Sequence, residues 1–447
     1  MTTITDSVGA GGSGVPVTGA PTTKQPNGLW LLFVVEMWER SSYYGMRALL
    51  VLYLVTELKW DDASASRLYG NYTSLVYLTP IIGGWLADRF IGTRRSLVLG
   101  GAIIAAGHFA LAVPGMTMFY LGLALIIIGT GFFKPNVSTL VGQLYGDNDP
   151  RRDSGFTIFY MGINLGAFLA PLVCGWLAQV YGWHVGFGAA GVGMVLGLLI
   201  YLWGVNRYLP GIGLAPNRAE QKAAAADRGP LTREEKQRVA VIFIVAFFVV
   251  FFWAAFEQAG ASMNLFADRH TDTNLWGFEF PAAWFQSVNP FIILLFAPVF
   301  AVLWTGLGRA GREPPTPAKM GIGLLLLAAG FGVMVIGAAR ADAGIQVSPM
   351  WLIGAYALHT FGELCLSPVG LSLVTKLAPV QFASLLMGVW FLANFAANWL
   401  AGQLSALMGD FESLQQFFSI FLIGPAIAGL VLLAISPILK RMMHGRG

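Results

Sequence analysis

The chain has 447 residues, of which 56% are hydrophobic and only 11% charged, and its mean hydropathy is +0.66. Soluble domains carry about 25% charged residues, so a soluble protein with a large core is excluded: there are too few polar side chains to cover one. The net charge of +4 is small for this length and, given where the basic residues fall, implies no nucleic-acid partner.

Residues 1–28 are rich in Gly, Thr and Pro and lack a basic start followed by an apolar core, so they read as a disordered tail and not as a signal peptide. A helix that crosses a bilayer needs about 20 mostly apolar residues. Such segments follow one another at 29–57, 67–88, 95–115, 117–145, 154–180, 184–207, 238–267, 282–307, 318–340, 349–377, 381–409 and 415–440. The long polar break from Pro210 to Arg238 contains RAEQKAAAADRGPLTREEKQR and separates two sets of six. The expected fold class is therefore an all-α polytopic membrane protein with twelve transmembrane helices in two six-helix bundles. The bundles cover 29–208 and 238–441, the cytoplasmic linker 209–237, and the tails 1–28 and 442–447. Cys174 and Cys365 lie in apolar runs, so no disulfide framework or cysteine metal site is suggested. No cofactor or metal is expected.

Orientation follows from the basic residues, because short cytoplasmic loops retain Lys and Arg. Of the 27 in the chain, Arg40, Arg47 and Lys134 lie within helices. With the N-terminus inside, only Lys59, Arg67, Arg269 and Arg340 fall outside, and the rest are cytoplasmic. Both termini are therefore expected in the cytoplasm of a cell whose inner (plasma) membrane holds the chain.

An ionised side chain at mid-bilayer costs roughly 2.5–3.5 kcal/mol even on insertion scales, so intramembrane charges point to function. Seven stand out: Glu36, Glu39, Arg40, Arg47, Lys134, Glu257 and Glu363. In the stretch EMWERSSYYGMR (36–47), Glu36, Arg40, Tyr43 and Arg47 form a stripe about 60° wide and about 16 Å long at 100° per residue. That face of the first helix must line a watery cavity or meet partner charges. Two six-helix halves make the first helix equivalent to the seventh and the fourth to the tenth. Arg47 lies 18 residues into the first span and Glu257 lies 19 into the seventh, while Lys134 and Glu363 fall near the middle of the fourth and tenth. Arg47 with Glu257, and Lys134 with Glu363, are the expected latches between halves; a static ion pair is the alternative. The seven groups carry a net charge of minus one when all are ionised, which a single proton would neutralise.

EMWERSSYYGMR resembles the ExxER signature of the proton-dependent oligopeptide transporter family, within the major facilitator superfamily. GGWLADRFIGTRR (83–95) is similar to the superfamily's loop between helices 2 and 3, and FYMGINLGAFLAPLVCGWLA (159–178) to the family's helix 5 signature. FWAAFEQAGASMNLFADR (252–269), NPFIILLFAPVF (289–300) and FGELCLSPVGLSLVTKLAP (361–379) continue the likeness. Three departures stand beside it. Ser41 replaces the usual Phe, the linker is too short for the two extra helices of many bacterial members, and Gly70 stands at the position of the animal members' helix 2 histidine.

The resemblance implies a symporter of di- and tripeptides, coupled to protons as the only co-substrate ion, working by alternating access as a monomer in the lipid bilayer. A short peptide is a zwitterion, and each end needs an opposite charge. Arg40 and Lys134 are the implied carboxylate clamp, and Glu363 the ammonium partner, with the amides of Asn164 and Asn289 beside it. Arg47, Tyr43, Tyr44, Tyr72 and Ser367 complete the contacts, with Trp253 and Trp390 as walls of the side-chain pocket. Glu36, Glu39, Arg40, Glu257 and Glu363 are the implied proton-coupling groups. The blander alternatives stay open: Trp253 and Trp390 as helix packing, Tyr72 as a core hydroxyl, His108 and His359 as packing residues, and Asp88, Arg89, Arg94 and Arg95 as a cytoplasmic gate. A rival substrate on the same fold is another small anionic or zwitterionic solute, such as nitrate, an amino-acid derivative or a peptide-like drug. A membrane enzyme is disfavoured, since no HExxH, GxSxG or Cys/His cluster is present.

Overall fold

Inside a bilayer every backbone N–H and C=O must find its partner within the chain, and this chain meets that demand with helices. The computed structural model describes residues 24–146, 149–214, 231–275, 277–379 and 382–445; the side chains of 367–372 and 383–384 lie outside the description. In the first half, α1 (Asn27–Leu52) runs into a π-helical turn, Tyr53–Glu57, and α2 (Asp62–Leu86) into another, Ala87–Ile91. Then follow α3 (Thr93–Leu111), α4 (Met116–Gln143), α5 (Arg152–Tyr181) and α6 (Trp183–Tyr208). In the second half α7 (Arg233–Phe256) gives way to a 3-10 turn, Glu257–Gly260, and a short α8 (Ser262–His270). A small hairpin, β1 (Asn274–Leu275) and β2 (Phe278–Glu279), and a 3-10 turn, Ala282–Ser287, lead to α9 (Val288–Arg309). The chain ends with α10 (Thr316–Asp342), α11 (Met350–Leu377), α12 (Ala383–Ala406) and α13 (Leu414–Met442).

The ends of these helices are set by local chemistry. Asp61 caps α2 by accepting from the Ser64 N–H at 2.8 Å, a bond that also holds its carboxyl below the ordinary range. Thr232 and Glu235 form a capping box at the start of α7. Gly92 and Gly182, at φ 85° and 97°, make the tight turns into α3 and α6, where a side chain would be strained.

Eight helical segments among the described residues are long and apolar enough to cross a membrane. Helix α1 is not among them, because it carries Glu36, Glu39, Arg40 and Arg47 within 26 residues. The first six helices pack on one another, α1 against α5 and α6, α3 against α4 and α6, α2 against α4. In the second half α10 lies between α11 and α13, and α7 against α12 and α13. Association in lipid relies on close packing, which small residues permit. A Cβ on Gly107 would sit 2.8 Å from the Gly122 carbonyl oxygen, and one on Gly122 equally close to that of Gly107, so α3 and α4 touch backbone to backbone.

The two halves meet where α2 runs along α12 and α5 meets α9. Their polar contacts gather at the end remote from the linker. Arg269 grips Asp62 with two bonds of 2.6 and 2.7 Å, and the hydroxyls of Ser66 and Ser405 lie 3.0 Å apart. Asn264 donates to the Ala48 carbonyl at 3.0 Å, and Ser287 to that of Phe168 at 2.7 Å. At Gly70 and Gly402 the backbones touch, since a Cβ on Gly70 would fall 2.5 Å from the Gly402 Cα.

Two expectations need correction. The span 238–267 is not one helix but two, because the chain abandons the α-helical pattern at Glu257. The segment 282–307 begins as a 3-10 turn, with α9 proper starting at Val288. The expected tail 1–28 gives way to helix at Asn27, and its residues 1–23, with 215–230 of the linker, lie outside the described residues.

Candidate functional site

The charged stripe of α1 divides into two groups. In the first, Arg40 lies between two carboxylates: its Nε pairs with Glu39, its Nη2 donates to Glu39 Oε1 at 2.5 Å, and its Nε stands 3.3 Å from Glu36 Oε1. All three residues are buried, and the guanidinium also sits 5.3 Å from the centre of the Tyr43 ring. A buried cation with two such neighbours is a compensated unit. One atom is left over: Glu36 Oε2 is buried with no hydrogen-bond partner among the described residues.

In the second group Arg47 reaches across to the other half of the molecule. Its Nη2 forms an ion pair with Glu257, and its Nε donates to the Tyr69 hydroxyl at 2.5 Å. The break in α7 is what aims Glu257, which opens the 3-10 turn between α7 and α8. Such a break leaves carbonyls without helical donors, and these must be satisfied by side chains. Gln286 and Tyr356 both donate to the Ala259 carbonyl, the latter at 3.3 Å. The turn is also tight against α2. A Cβ on Gly260 would lie 1.7 Å from the Tyr69 oxygen, so only glycine lets the backbone pass.

Beside this ion pair lies a cavity of about 130 Å³ between the halves. Tyr44, Arg47, Tyr77, Tyr160 and Asn164 wall it from the first half. From the second half come Trp253, Phe256, Glu257, Gln286, Asn289 and Glu363. Glu363 Oε2 accepts from Asn289 Nδ2 at 2.8 Å, and the same amide donates to Thr360 at 3.0 Å. Asn164 turns its amide back on the Tyr160 carbonyl at 2.9 Å. The space therefore holds a fixed cation, two carboxylates, amides and aromatic rings, a mixture suited to a small zwitterion.

Of the residues singled out in the sequence, the cavity brings together Tyr44, Arg47, Asn164, Trp253, Glu257, Asn289 and Glu363. Arg40, Tyr43, Tyr72, Lys134 and Trp390 stand outside its lining. Tyr72 stacks on Tyr43 with ring centres 6.4 Å apart, its hydroxyl buried without a partner among the described residues, and Trp390 is part of the buried apolar core. The side chain of Ser367 lies outside the described residues. His108 and His359 are buried with neither ring nitrogen hydrogen-bonded among the described residues, and His359 packs on Phe331 with ring centres 4.5 Å apart.

The expected pairing of Lys134 with Glu363 needs correction, because no ion pair joins them among the described residues. Lys134 Nζ lies over the Tyr77 ring, 4.3 Å from its centre, and its charged neighbours are Arg40, Glu39, Glu36 and Glu257. Glu363 is occupied by Asn289. Symmetry matched the two in depth, but the faces of α4 and α11 that carry them do not meet in this arrangement of the halves.

Sequence reasoning did not single out Tyr69, Tyr77, Tyr160, Gln286 or Tyr356. Two of them had a signal. Tyr69 precedes Tyr72 by one helical turn, and Tyr356, Thr360 and Glu363 share one stripe of α11 at spacings of four and three. Gln286 acts on a carbonyl freed by a helix break, and no local pattern marks it.

The profile of the POT family (PTR2) matches residues 94–225 and 220–421. The chain is 43% identical over 476 residues to an uncharacterized transporter, YclF, of Bacillus subtilis (strain 168), across 94% of this chain and 95% of the relative. It is 36% identical over 488 residues to a di-/tripeptide transporter of Lactococcus lactis subsp. cremoris, across 94% and 97%. Among solved structures, a mutant of the peptide transporter POT in complex with alafosfalin superposes with a TM-score of 0.86 at 40% identity, covering 95% of this chain and 97% of that one. With its charged first helix, its broken seventh span and the cavity between its halves, this membrane protein belongs to the POT family of transporters.

Proposed function

We propose that this chain is a proton-coupled symporter that imports di- and tripeptides across the inner membrane by alternating access. Twelve helices cross the bilayer, α7 and α8 together forming the seventh span, and both termini lie in the cytoplasm, a topology that the distribution of Lys and Arg supports. One observation carries the reading: the cavity between the halves holds an arginine from one half and a carboxylate from the other, Arg47 and Glu363, which suit the two ends of a peptide zwitterion. Asn164 and Asn289 serve the peptide backbone, and Trp253 and Phe256 the side chains. Since termini and backbone are common to all short peptides, sequence tolerance is broad.

Coupling uses the ion pair between Arg47 and Glu257. A proton on Glu257 removes the charge that holds Arg47 and frees the guanidinium for the substrate carboxylate. Glu36, Glu39 and Arg40 form a second proton site on the same helix. The polar contacts at the outer end then hold the outside closed, in an inward-facing arrangement. One chain contains the whole cavity, so the monomer is the working unit. Proteoliposome uptake of labelled di-alanine tests the reading: accumulation should require an inward proton gradient and collapse with a protonophore. Uptake indifferent to the gradient overturns the coupling, and no uptake of any di- or tripeptide overturns the substrate class.

A further inference from the structure

A furrow of about 500 Å³ runs along the first half between the start of α3 and the end of α6, and shares no residue with the central cavity. In the orientation proposed above, both helix ends adjoin the basic cytoplasmic loops and so face the inner headgroups. Arg94, Arg95 and Asn206 line the furrow's polar end. Val98, Leu99, Ala102, Leu202 and Val205 continue it along the two helices towards the membrane core. Leu99 and Leu202 are 42% and 48% exposed, so the apolar run is open to the surroundings.

Three observations give the polar end a ligand's shape. Neither arginine makes an ion pair among the described residues, and no carboxylate lines the furrow. Arg94 spends its Nη2 on the Leu209 carbonyl and its Nη1 on Asn206 Oδ1 at 3.5 Å, yet its Nε is buried without a partner among the described residues. The Tyr201 hydroxyl, on a side chain only 1% exposed, also has no partner among the described residues. A buried donor left unsatisfied costs about 1–3 kcal/mol, so unused donors beside two uncompensated cations favour an anionic oxygen.

We propose that this furrow binds one anionic phospholipid of the inner leaflet. The phosphate sits against Arg94, Arg95, Asn206 and the Tyr201 hydroxyl, and an acyl chain lies along Val98, Leu99, Ala102 and Leu202. Charge complementarity selects the occupant: an anionic headgroup meets two cations and no acid, whereas the ammonium of a zwitterionic lipid finds no counter-charge. The apolar run distinguishes a lipid from a free phosphate, which makes no use of it.

The test is native mass spectrometry of the full-length protein in detergent, titrated with phosphatidylglycerol or phosphatidylcholine of matched chains. One phosphatidylglycerol should bind at least ten-fold more tightly than phosphatidylcholine. Arg95→Gln, at an exposed side chain that the fold does not need, should weaken it about five-fold, and Tyr201→Phe should weaken it too. Ala102→Trp should lower the affinity for both lipids by filling the furrow. Arg441→Gln, at the inner end of the other half, should change nothing. Equal affinity for the two lipids, or equal loss in Arg95→Gln and Arg441→Gln, overturns the proposal in favour of diffuse attraction. Displacement by millimolar inorganic phosphate assigns the site to a free anion and overturns it as well. So does binding seen only after residues 215–230 are removed, which gives the furrow to the linker.

Discussion

Glu36 and Glu39 flank the same arginine, yet their hydrogen bonds make them unequal. Glu39 engages Arg40 through both oxygens, while Glu36 keeps Oε2 buried and unpartnered. A proton arriving at Glu36 Oε2 displaces no hydrogen bond and weakens only the longer ion pair of Oε1 with Arg40, whereas one arriving at Glu39 must displace a guanidinium. Glu36→Gln should therefore preserve peptide counterflow in proteoliposomes and abolish accumulation driven by a pH gradient. Glu39→Gln should lose accumulation and some stability too. Arg40→Ala leaves two buried carboxylates without their cation, a loss of about 3–5 kcal/mol, and should impair counterflow and accumulation alike. Undiminished accumulation by Glu36→Gln moves the proton site to Glu257. In the cavity itself, Glu363→Gln keeps shape and its bonding to Asn289 possible but removes the charge meant for a peptide ammonium. Charge-assisted hydrogen bonds contribute about 1.5–3 kcal/mol, so the mutant's affinity for free dipeptides should fall by roughly ten- to a hundred-fold. N-acetylated dipeptides should bind the wild type poorly and lose little more; equal losses for both ligands exclude an ammonium contact.

At the scale of the element, the break between α7 and α8 determines whether Glu257 can reach Arg47. Its weakest tolerance is at Gly260, where an added Cβ would collide with the Tyr69 ring and hydroxyl, 2.4 and 1.7 Å away. Tyr69 is wedged beside Arg47, so it cannot yield without disturbing the ion pair. Gly260→Ala should destabilise the protein by about 1–3 kcal/mol, the usual cost of overpacking, and suppress uptake. Gly306→Ala is the matched control, since nothing lies within 4 Å of its added Cβ. Thermal unfolding in detergent checks both. Equal midpoints for the two variants would show that the turn has room the packing denies it.

At the scale of the molecule, alternating access requires that contacts between halves at the outer end break in every cycle. Ser66 and Ser405 face each other there with oxygens 3.0 Å apart, and the Gly70–Gly402 crossing holds α2 and α12 together. The double variant Ser66→Cys/Ser405→Cys should form a disulfide on mild oxidation and stop uptake, with reductant restoring it. Full uptake by a quantitatively cross-linked protein would mean that the outer end need not open.

Long apolar runs, sparse charge and the bias of Lys and Arg were legible in the sequence, because desolvation acts on each segment separately. The stripe of Glu36, Arg40, Tyr43 and Arg47 was legible too, since helical periodicity is a local property. Matching depth between halves pointed Arg47 to Glu257, and the two are in contact. The same reasoning pointed Lys134 to Glu363, which are not, because a match in depth leaves rotation and tilt about the helix axis undetermined. Nor did the apolar run through residue 267 announce that it would break at Glu257; the carbonyls of that turn are satisfied by Gln286 and Tyr356, which only the tertiary fold brings near. Composition and period determined which groups had to be buried, and the packing of one half on the other decided which of them meet.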